Sequence, residues 1–142
     1  MPGRKPLVLL IEDDGALRDN LTEALENEGY ACWAESTAAD ALRRLELGFA
    51  APDAILLDLW IPGMAPVRFI SHVKERATWS SAPIVLITAA EEREVPAALG
   101  VDGVLQKPFG VPRLLEMLRA ALEGRAARGE SAEAVDGPPS PS

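Results

Sequence analysis

The chain has 142 residues, of which 48% are hydrophobic and 25% are charged, which is the length and balance of one globular domain. Its 22 acidic and 14 basic side chains give a net charge of -8, so a nucleic acid backbone or an anionic membrane would repel it. A single cysteine, Cys32, and a single histidine exclude an internal disulfide and a zinc cluster.

The two ends of the chain differ in composition from its centre. We expect residues 1–5 to be a leader, residues 6–123 to form the domain and residues 124–142 to be a disordered tail. Nine of the 19 residues in that tail are Gly, Pro or Ser, so burial cannot offset the entropy of ordering it. The apolar run at residues 7–11 is too short for a secretory leader or a membrane span. Together with the lone cysteine, this predicts a cytoplasmic protein without membrane insertion.

Apolar runs and amphipathic helical stripes alternate along the predicted domain. The runs lie at residues 8–11, Ala31–Glu35 (the weakest), 54–57, 84–87 and 101–105, and clear helical stripes begin at Leu17, Ala38 and Val111. The runs lack polar alternation, as expected for strands that are covered on both faces. The pattern predicts an α/β fold with a five-stranded parallel sheet and helices on both faces.

Polar side chains follow most of the predicted strands. They are Glu12, Asp13 and Asp14 after the first run, Asp58 after the third, Thr88 after the fourth, and Gln106 and Lys107 after the fifth. In an open parallel sheet, ligands bind outside the carboxyl ends of the strands. Clustered carboxylates repel one another unless they bind protons or a cation, and oxygen ligands favour Mg²⁺, with Mn²⁺ as the alternative.

A magnesium site of this kind favours a phosphate substrate. Asp58 can then act as a carboxylate nucleophile, with Thr88 and Lys107 to neutralise the incoming phosphoryl group. Asp14 stands directly before the helical stripe at Leu17, which favours helix N-capping over a metal contact.

Four short motifs join these polar residues to their strands. They are LLIEDD at 9–14, LLDLWIPG at 56–63, VLITA at 85–89 and KPF at 107–109. In order and spacing this set resembles the receiver domain of two-component response regulators, over nearly all of residues 6–123. The resemblance implies the flavodoxin-like receiver fold, with a parallel sheet of order 2-1-3-4-5 and five helices.

The resemblance also implies a role for each site residue. Asp58 accepts a phosphoryl group from the phosphohistidine of a sensor histidine kinase. By the same resemblance, Glu12, Asp13, Asp58 and the backbone carbonyl of Trp60 hold Mg²⁺, Thr88 and Lys107 bind the phosphoryl oxygens, and the Lys107-Pro108 bond is cis.

Some positions depart from the family pattern. Val104 stands where an aromatic residue usually reports phosphorylation, and the spacing from Thr88 to Lys107 is short for the family. Pro96 falls where the fourth helix belongs and lacks the N–H that a helix interior needs. We therefore expect a short or irregular fourth helix, with residues 91–99 forming at most a short turn.

The function we expect is that of a stand-alone receiver that signals by protein–protein interaction. Its partners would be a sensor histidine kinase, a histidine phosphotransfer protein as a second donor, and a protein target of unknown identity, without direct nucleic acid contact. We expect a phosphoacceptor with self-catalysed phosphotransfer and autodephosphorylation, not an enzyme. One alternative is a degenerate receiver that acts as a phosphorylation-independent scaffold. An aspartyl-nucleophile phosphatase ranks third, because it would need a second acid where Trp60 stands.

Overall fold

Strands and helices alternate along the chain in the computed structural model, which describes residues 4–59 and 64–127. In order these are β1 (Leu7–Ile11), α1 (Gly15–Asn27), β2 (Ala31–Glu35), α2 (Ala38–Glu46), β3 (Ala54–Asp58), α3 (Pro66–Glu75), β4 (Ile84–Thr88), β5 (Gly103–Gln106) and α4 (Val111–Ala127). Two 3₁₀ turns, Glu92–Glu94 and Ala97–Leu99, lie between β4 and β5.

The five strands form one parallel sheet in the order β2-β1-β3-β4-β5. This confirms the predicted fold class and strand order. Because all strands run the same way, the carboxyl ends of β1, β3, β4 and β5 meet at one edge. That edge is where an open parallel sheet binds its ligands.

Helices cover both faces of the sheet. Successive side chains of a strand point to opposite faces, so Leu9 and Ile11 join one apolar cluster with residues of α2 and α3. Val8 and Leu10 join a second cluster with residues of α1 and α4. Every residue of β3 and β4 is buried, which explains their uninterrupted apolar sequence. In the described ranges no helix is long and apolar enough to cross a membrane.

The predicted fifth strand begins too early. β5 starts at Gly103 and not at residue 101, because Asp102 closes the preceding loop onto β4. Its N–H donates to the carbonyl of Ile84 at 2.8 Å, and its carboxylate accepts from the N–H of Ile84 at 2.8 Å. Val101 packs against the core from the loop, so its apolar character indicates burial without strand pairing. The three other clearly predicted strands, β1, β3 and β4, are each one residue longer than predicted. The added residues are Leu7, Asp58 and Thr88.

The segment between β4 and β5 does not form a regular helix. The resemblance implies five helices, whereas the described residues contain four α-helices and the two 3₁₀ turns stand where the fourth of five would lie. Pro96 directly precedes the second turn, and Gly100, with a left-handed φ of 68°, ends it. The prediction of a short or irregular fourth helix is therefore confirmed.

Helix α4 continues to Ala127, past the domain boundary expected at residue 123. The guanidinium of Arg125 donates to the carbonyl of Asp53 at 3.1 Å and to the hydroxyl of Ser81 at 3.1 Å. The carboxylate of Asp53 also accepts from the N–H of Leu7 at 2.7 Å and from Arg4 at 3.1 Å. These bonds fasten the last turn of α4 to the amino edge of the sheet, which composition alone does not reveal. Residues 128–142 of the expected tail and 1–3 of the expected leader lie outside the described residues.

Replacing Arg125 tests this attachment. We expect Arg125→Ala to lower the free energy of unfolding by about 1 kcal/mol, because the carbonyl of Asp53 and the hydroxyl of Ser81 lose a charged donor. Arg119→Ala, at an exposed position of the same helix, is the matched control and should change little. Denaturant unfolding of both variants measures the difference, and equal midpoints would contradict the attachment.

Candidate functional site

Three carboxylates meet at the carboxyl edge of the sheet. Glu12 follows β1 and Asp58 ends β3, and both are buried, whereas Asp13 is exposed. One oxygen from each of the three lies within 4.8 Å of the others. The parallel pairing of β1 with β3 brings them together, as the sequence predicts.

Lys107 brings a positive charge to this cluster. Its Nζ donates to Oδ2 of Asp58 at 3.0 Å and lies 3.6 Å from Oε1 of Glu12. Burial opposes the charged ammonium, but the hydrogen bond and charge of Asp58 and the charge of Glu12 outweigh it and raise the pKa of Lys107 above its usual range. Lys107 therefore stays protonated. The bond to Pro108 is cis, as expected.

Glu12 is the most deeply buried of the three acids. Its side-chain Oε2 accepts from the N–H of Asp14 at 3.1 Å, whereas Oε1 is buried and has no hydrogen-bond partner among the described residues. Burial, together with the neighbouring carboxylate of Asp58, raises the pKa of Glu12 from 4.5 to about 7, although the N–H of Asp14 and the charge of Lys107 oppose the shift.

A divalent cation fits this set of donors. Three carboxylates share a small space with one ammonium, and a buried carboxylate oxygen lacks a donor within residues 4–59 and 64–127. An all-oxygen donor set of this size suits Mg²⁺ or Mn²⁺. The backbone carbonyl of Trp60, the fourth predicted ligand, lies outside the described residues.

Thr88 is fixed by main-chain bonds between β4 and β5. Its carbonyl accepts from the N–H of Lys107 at 2.6 Å, and its side-chain hydroxyl accepts from the N–H of Ala90 at 2.9 Å. Thr88 is fully buried and, like Asp58, ends its strand. The sheet thus places Thr88 at the same edge as Asp58 and Lys107.

The side chain of Asp14 caps a helix and is not one of the three clustered carboxylates. Its carboxylate accepts from the N–H of Leu17 at 3.1 Å and caps the start of α1, which confirms the prediction of an N-cap. Gln106 is exposed at the end of β5.

One side chain beside the acids was not predicted. Arg18, half-buried on α1, donates from Nη1 to the carbonyl of Glu12 at 2.8 Å. The sequence feature that could have identified it is a cation near the amino end of a predicted helix, where the macrodipole disfavours a positive charge.

The sequence matches one family over most of the described residues. The family model of the response regulator receiver domain covers residues 8–119. The chain belongs to this family. The predicted resemblance is therefore confirmed, and the chain is a receiver domain of the two-component response regulators.

Its curated relatives include transcriptional regulators. The chain is 37% identical over 123 residues to the KDP operon transcriptional regulatory protein KdpE of Escherichia coli (strain K12), covering 84% of this chain and 52% of the relative. It is 33% identical over 133 residues to the sensory transduction protein RegX3 of Mycolicibacterium smegmatis, covering 92% of this chain and 56% of the relative. This receiver thus spans about half the length of the curated relatives it matches.

Solved receiver structures share its fold. The chemotaxis response regulator CheY4 of Vibrio cholerae superposes with a TM-score of 0.77 at 26% identity, covering 83% of this chain and 99% of that one. The receiver domain of the sensor histidine kinase PA1611 of Pseudomonas aeruginosa PAO1, which has a magnesium ion in its active site cleft, gives a TM-score of 0.74 at 24% identity. The PA1611 match covers 84% of this chain and 99% of that one. This second likeness concerns the fold alone.

The raised pKa of Glu12 makes the stability of the metal-free receiver depend on pH. The folded state holds this proton more tightly than the unfolded state, so the stabilisation is complete below pH 4.5 and is lost as pH rises through about 7. The loss is on the order of 3 kcal/mol. Glu12→Gln cannot ionise and should lose less stability between pH 5 and pH 8, as measured by urea unfolding in a chelator.

Glu23→Gln is the matched control, because Glu23 is exposed on α1. It should keep the pH dependence of the wild type. An identical pH dependence in Glu12→Gln would show that Glu12 does not hold the proton.

Proposed function

We propose that this receiver accepts a phosphoryl group on Asp58 from the phosphohistidine of a sensor histidine kinase and signals through protein–protein contacts. The observation that carries the proposal is the contact of Lys107 with Asp58 at 3.0 Å beside the buried Glu12. A lysine paired with a buried carboxylate at a strand end can hold that carboxylate in place and bind an incoming anionic group. A histidine phosphotransfer protein can act as donor by the same chemistry.

Glu12, Asp13 and Asp58 are the side chains that would hold Mg²⁺, with Mn²⁺ as an alternative, and the Trp60 carbonyl is the proposed fourth ligand. The geometry in support is the grouping of three carboxylates within 4.8 Å and the unbonded Oε1 of Glu12. When bound, the ion supplies positive charge that offsets repulsion between the carboxylates and the phosphoryl oxygens.

Asp58 is the nucleophile in this proposal. A carboxylate oxygen of Asp58 forms a bond to phosphorus while the bond from phosphorus to the imidazole nitrogen of the donor breaks, and that electron pair returns to the imidazole. Lys107 holds the carboxylate in place and then shares its charge with the transferred group. Thr88, fixed at the neighbouring strand end, donates its hydroxyl hydrogen to a phosphoryl oxygen, since its oxygen already accepts from Ala90.

The receiver itself supplies the groups for transfer and for the later hydrolysis, so it acts as a phosphoacceptor and not as a turnover enzyme. Ala90, close to Thr88, has no polar side chain that could orient an attacking water. We therefore expect slow autodephosphorylation. The target in this proposal is a protein. Direct contact of the receiver with nucleic acid is disfavoured by its net charge of -8.

The second candidate function is a phosphorylation-independent scaffold. It is favoured by Val104 in place of the usual aromatic residue and by the two 3₁₀ turns in place of a fourth helix. The Lys107–Asp58 contact argues against it, because a scaffold has no need to keep a buried acid beside a lysine. Phosphorylation of Asp58 distinguishes the two functions.

Replacing Asp58 tests the proposal directly. With Mg²⁺ and a small phosphodonor, the wild type should gain one phosphoryl group by intact mass, whereas Asp58→Asn should gain none because the amide is not a nucleophile. Asp40→Asn, on α2 where the carboxylate pairs with Arg43, controls for the loss of one acid and should be phosphorylated like the wild type.

Uptake by Asp58→Asn at the wild-type rate would exclude Asp58 as the acceptor. Absence of uptake in the wild type, with Mg²⁺ present and the fold verified, would favour the scaffold.

A further prediction concerns the segment between β4 and β5. A ligand shifts an equilibrium only through different interactions with two states, and Val104 offers no ring with two discrete positions. Phosphorylation should therefore slow amide exchange at Thr88 and Ala90 but change it little at residues 92–99 and Val104. Hydrogen exchange with mass spectrometry measures both regions in one experiment. Strong protection of residues 92–99 would contradict this weak coupling.

A further inference from the structure

We propose that Arg18 is a positioning residue for the cation site, fixing the peptide unit that joins Glu12 to Asp13. The inference rests on the proposed function, because it assumes that these acids bind Mg²⁺. It adds to the site a residue of α1 that does not itself belong to the acidic cluster.

The contact that carries the inference is made to the backbone between two proposed ligands. Arg18 donates from Nη1 to the carbonyl of Glu12 at 2.8 Å, and that carbonyl belongs to the peptide bond leading to Asp13. On its other side, the N–H of Glu12 donates to the carbonyl of Glu35 at 3.1 Å. The acidic pair is thus tied to β2 by a main-chain bond and to α1 by the guanidinium. We expect the loss of either tie to loosen the backbone from which both carboxylates extend.

The placement of Arg18 on α1 is unfavourable for the helix alone. It lies close to the amino end of the helix, where the helix dipole disfavours a positive side chain, although the carboxylate of Asp14 caps that end. The guanidinium nevertheless folds back over the start of the helix, where an added Cβ on Gly15 would lie 3.6 Å from Nη2. A long side chain held across its own helix start against that dipole needs a compensating partner, and the Glu12 carbonyl is that partner.

Removing Arg18 has two opposite effects on cation binding. The loss of a positive charge near the acids strengthens the attraction for Mg²⁺, while the loss of the hydrogen bond loosens the ligands. Arg18 is half-buried, so solvent partly screens its charge, whereas the hydrogen bond acts directly on the ligand backbone. Positioning should therefore dominate, and the sign of the change in affinity separates the two effects.

The test measures Mg²⁺ affinity by titration calorimetry on the whole chain. Arg18→Met keeps the apolar stem and removes the donor and the charge, and it should weaken Mg²⁺ binding about tenfold, as replacement of groups that orient metal ligands does. Arg18→Lys keeps the charge and one donor, and its Mg²⁺ affinity should fall between those of the wild type and Arg18→Met. Arg119→Met, on the exposed side of α4, makes the same change in net charge and should bind like the wild type.

A second readout separates positioning from chemistry. With a small phosphodonor, Arg18→Met should take up phosphoryl groups more slowly than the wild type at limiting Mg²⁺ and equally fast at saturating Mg²⁺. A purely structural role would lower the melting temperature in chelator without changing the Mg²⁺ affinity.

Mg²⁺ binding by Arg18→Met as tight as in the wild type, or tighter, would overturn the role of Arg18. Should that variant not fold, Arg18→Leu, which also lacks the donor and the charge, takes its place, and a wild-type affinity in it would overturn the role equally. A wild-type chain that binds no Mg²⁺ would instead overturn the proposed function, so the two failures are distinguishable.

Discussion

The ammonium of Lys107 against the carboxylates of Asp58 and Glu12 is the interaction on which the site depends. One positive charge lies 3.0 Å from Asp58 and 3.6 Å from Glu12, with Asp13 close by. A single lysine cannot neutralise three acids, so a proton on Glu12 or a bound cation must neutralise part of the remaining negative charge. The cluster therefore opposes folding at neutral pH, and the stability that holds it comes from elsewhere, chiefly from the fully buried strands β3 and β4.

The acids at the two edges of the sheet differ in their hydrogen-bond partners. Those at the amino edge stabilise the fold, whereas those at the carboxyl edge form the candidate site. At the amino edge, Asp53 and Asp102 each accept the first N–H of a neighbouring strand, from Leu7 and from Ile84. Asp53 also pairs with Arg4. Through these bonds both acids strengthen the sheet. At the carboxyl edge, Glu12 keeps a buried oxygen without a partner in the described part of the chain. An acid left in that state is available to a ligand, and the parallel arrangement of strands places all such acids at one edge.

The sequence was sufficient to predict a parallel sheet and the set of residues at its carboxyl edge, because buried parallel strands read as apolar runs and their polar ends stand out. The strand order followed from the resemblance to receiver domains. It was insufficient where a contact joins distant segments. Val101 reads as strand because it is buried, while Asp102 ends the loop through bonds to Ile84. Arg125 lies in a stretch with the composition of a tail, yet it is bonded to Asp53 and Ser81. Arg18 is an ordinary helix residue by type, and its contact with the Glu12 carbonyl depends on how α1 leaves β1.

The segment after β4 determines how far a displacement of Thr88 is transmitted through the structure. The hydroxyl of Thr88 is bonded to the N–H of Ala90, so a displacement of Thr88 acts first on the chain that leaves β4. From there the N–H of Glu91 is bonded to the side chain of Glu94, within a single 3₁₀ turn. Such short turns have few and poorly aligned hydrogen bonds, and Pro96 contributes no donor to join the two turns. A displacement is transmitted over a long distance by an element with two packed arrangements. We therefore expect these turns to absorb it locally, with the strongest response to a ligand at Asp58 in the strand ends that surround the acids.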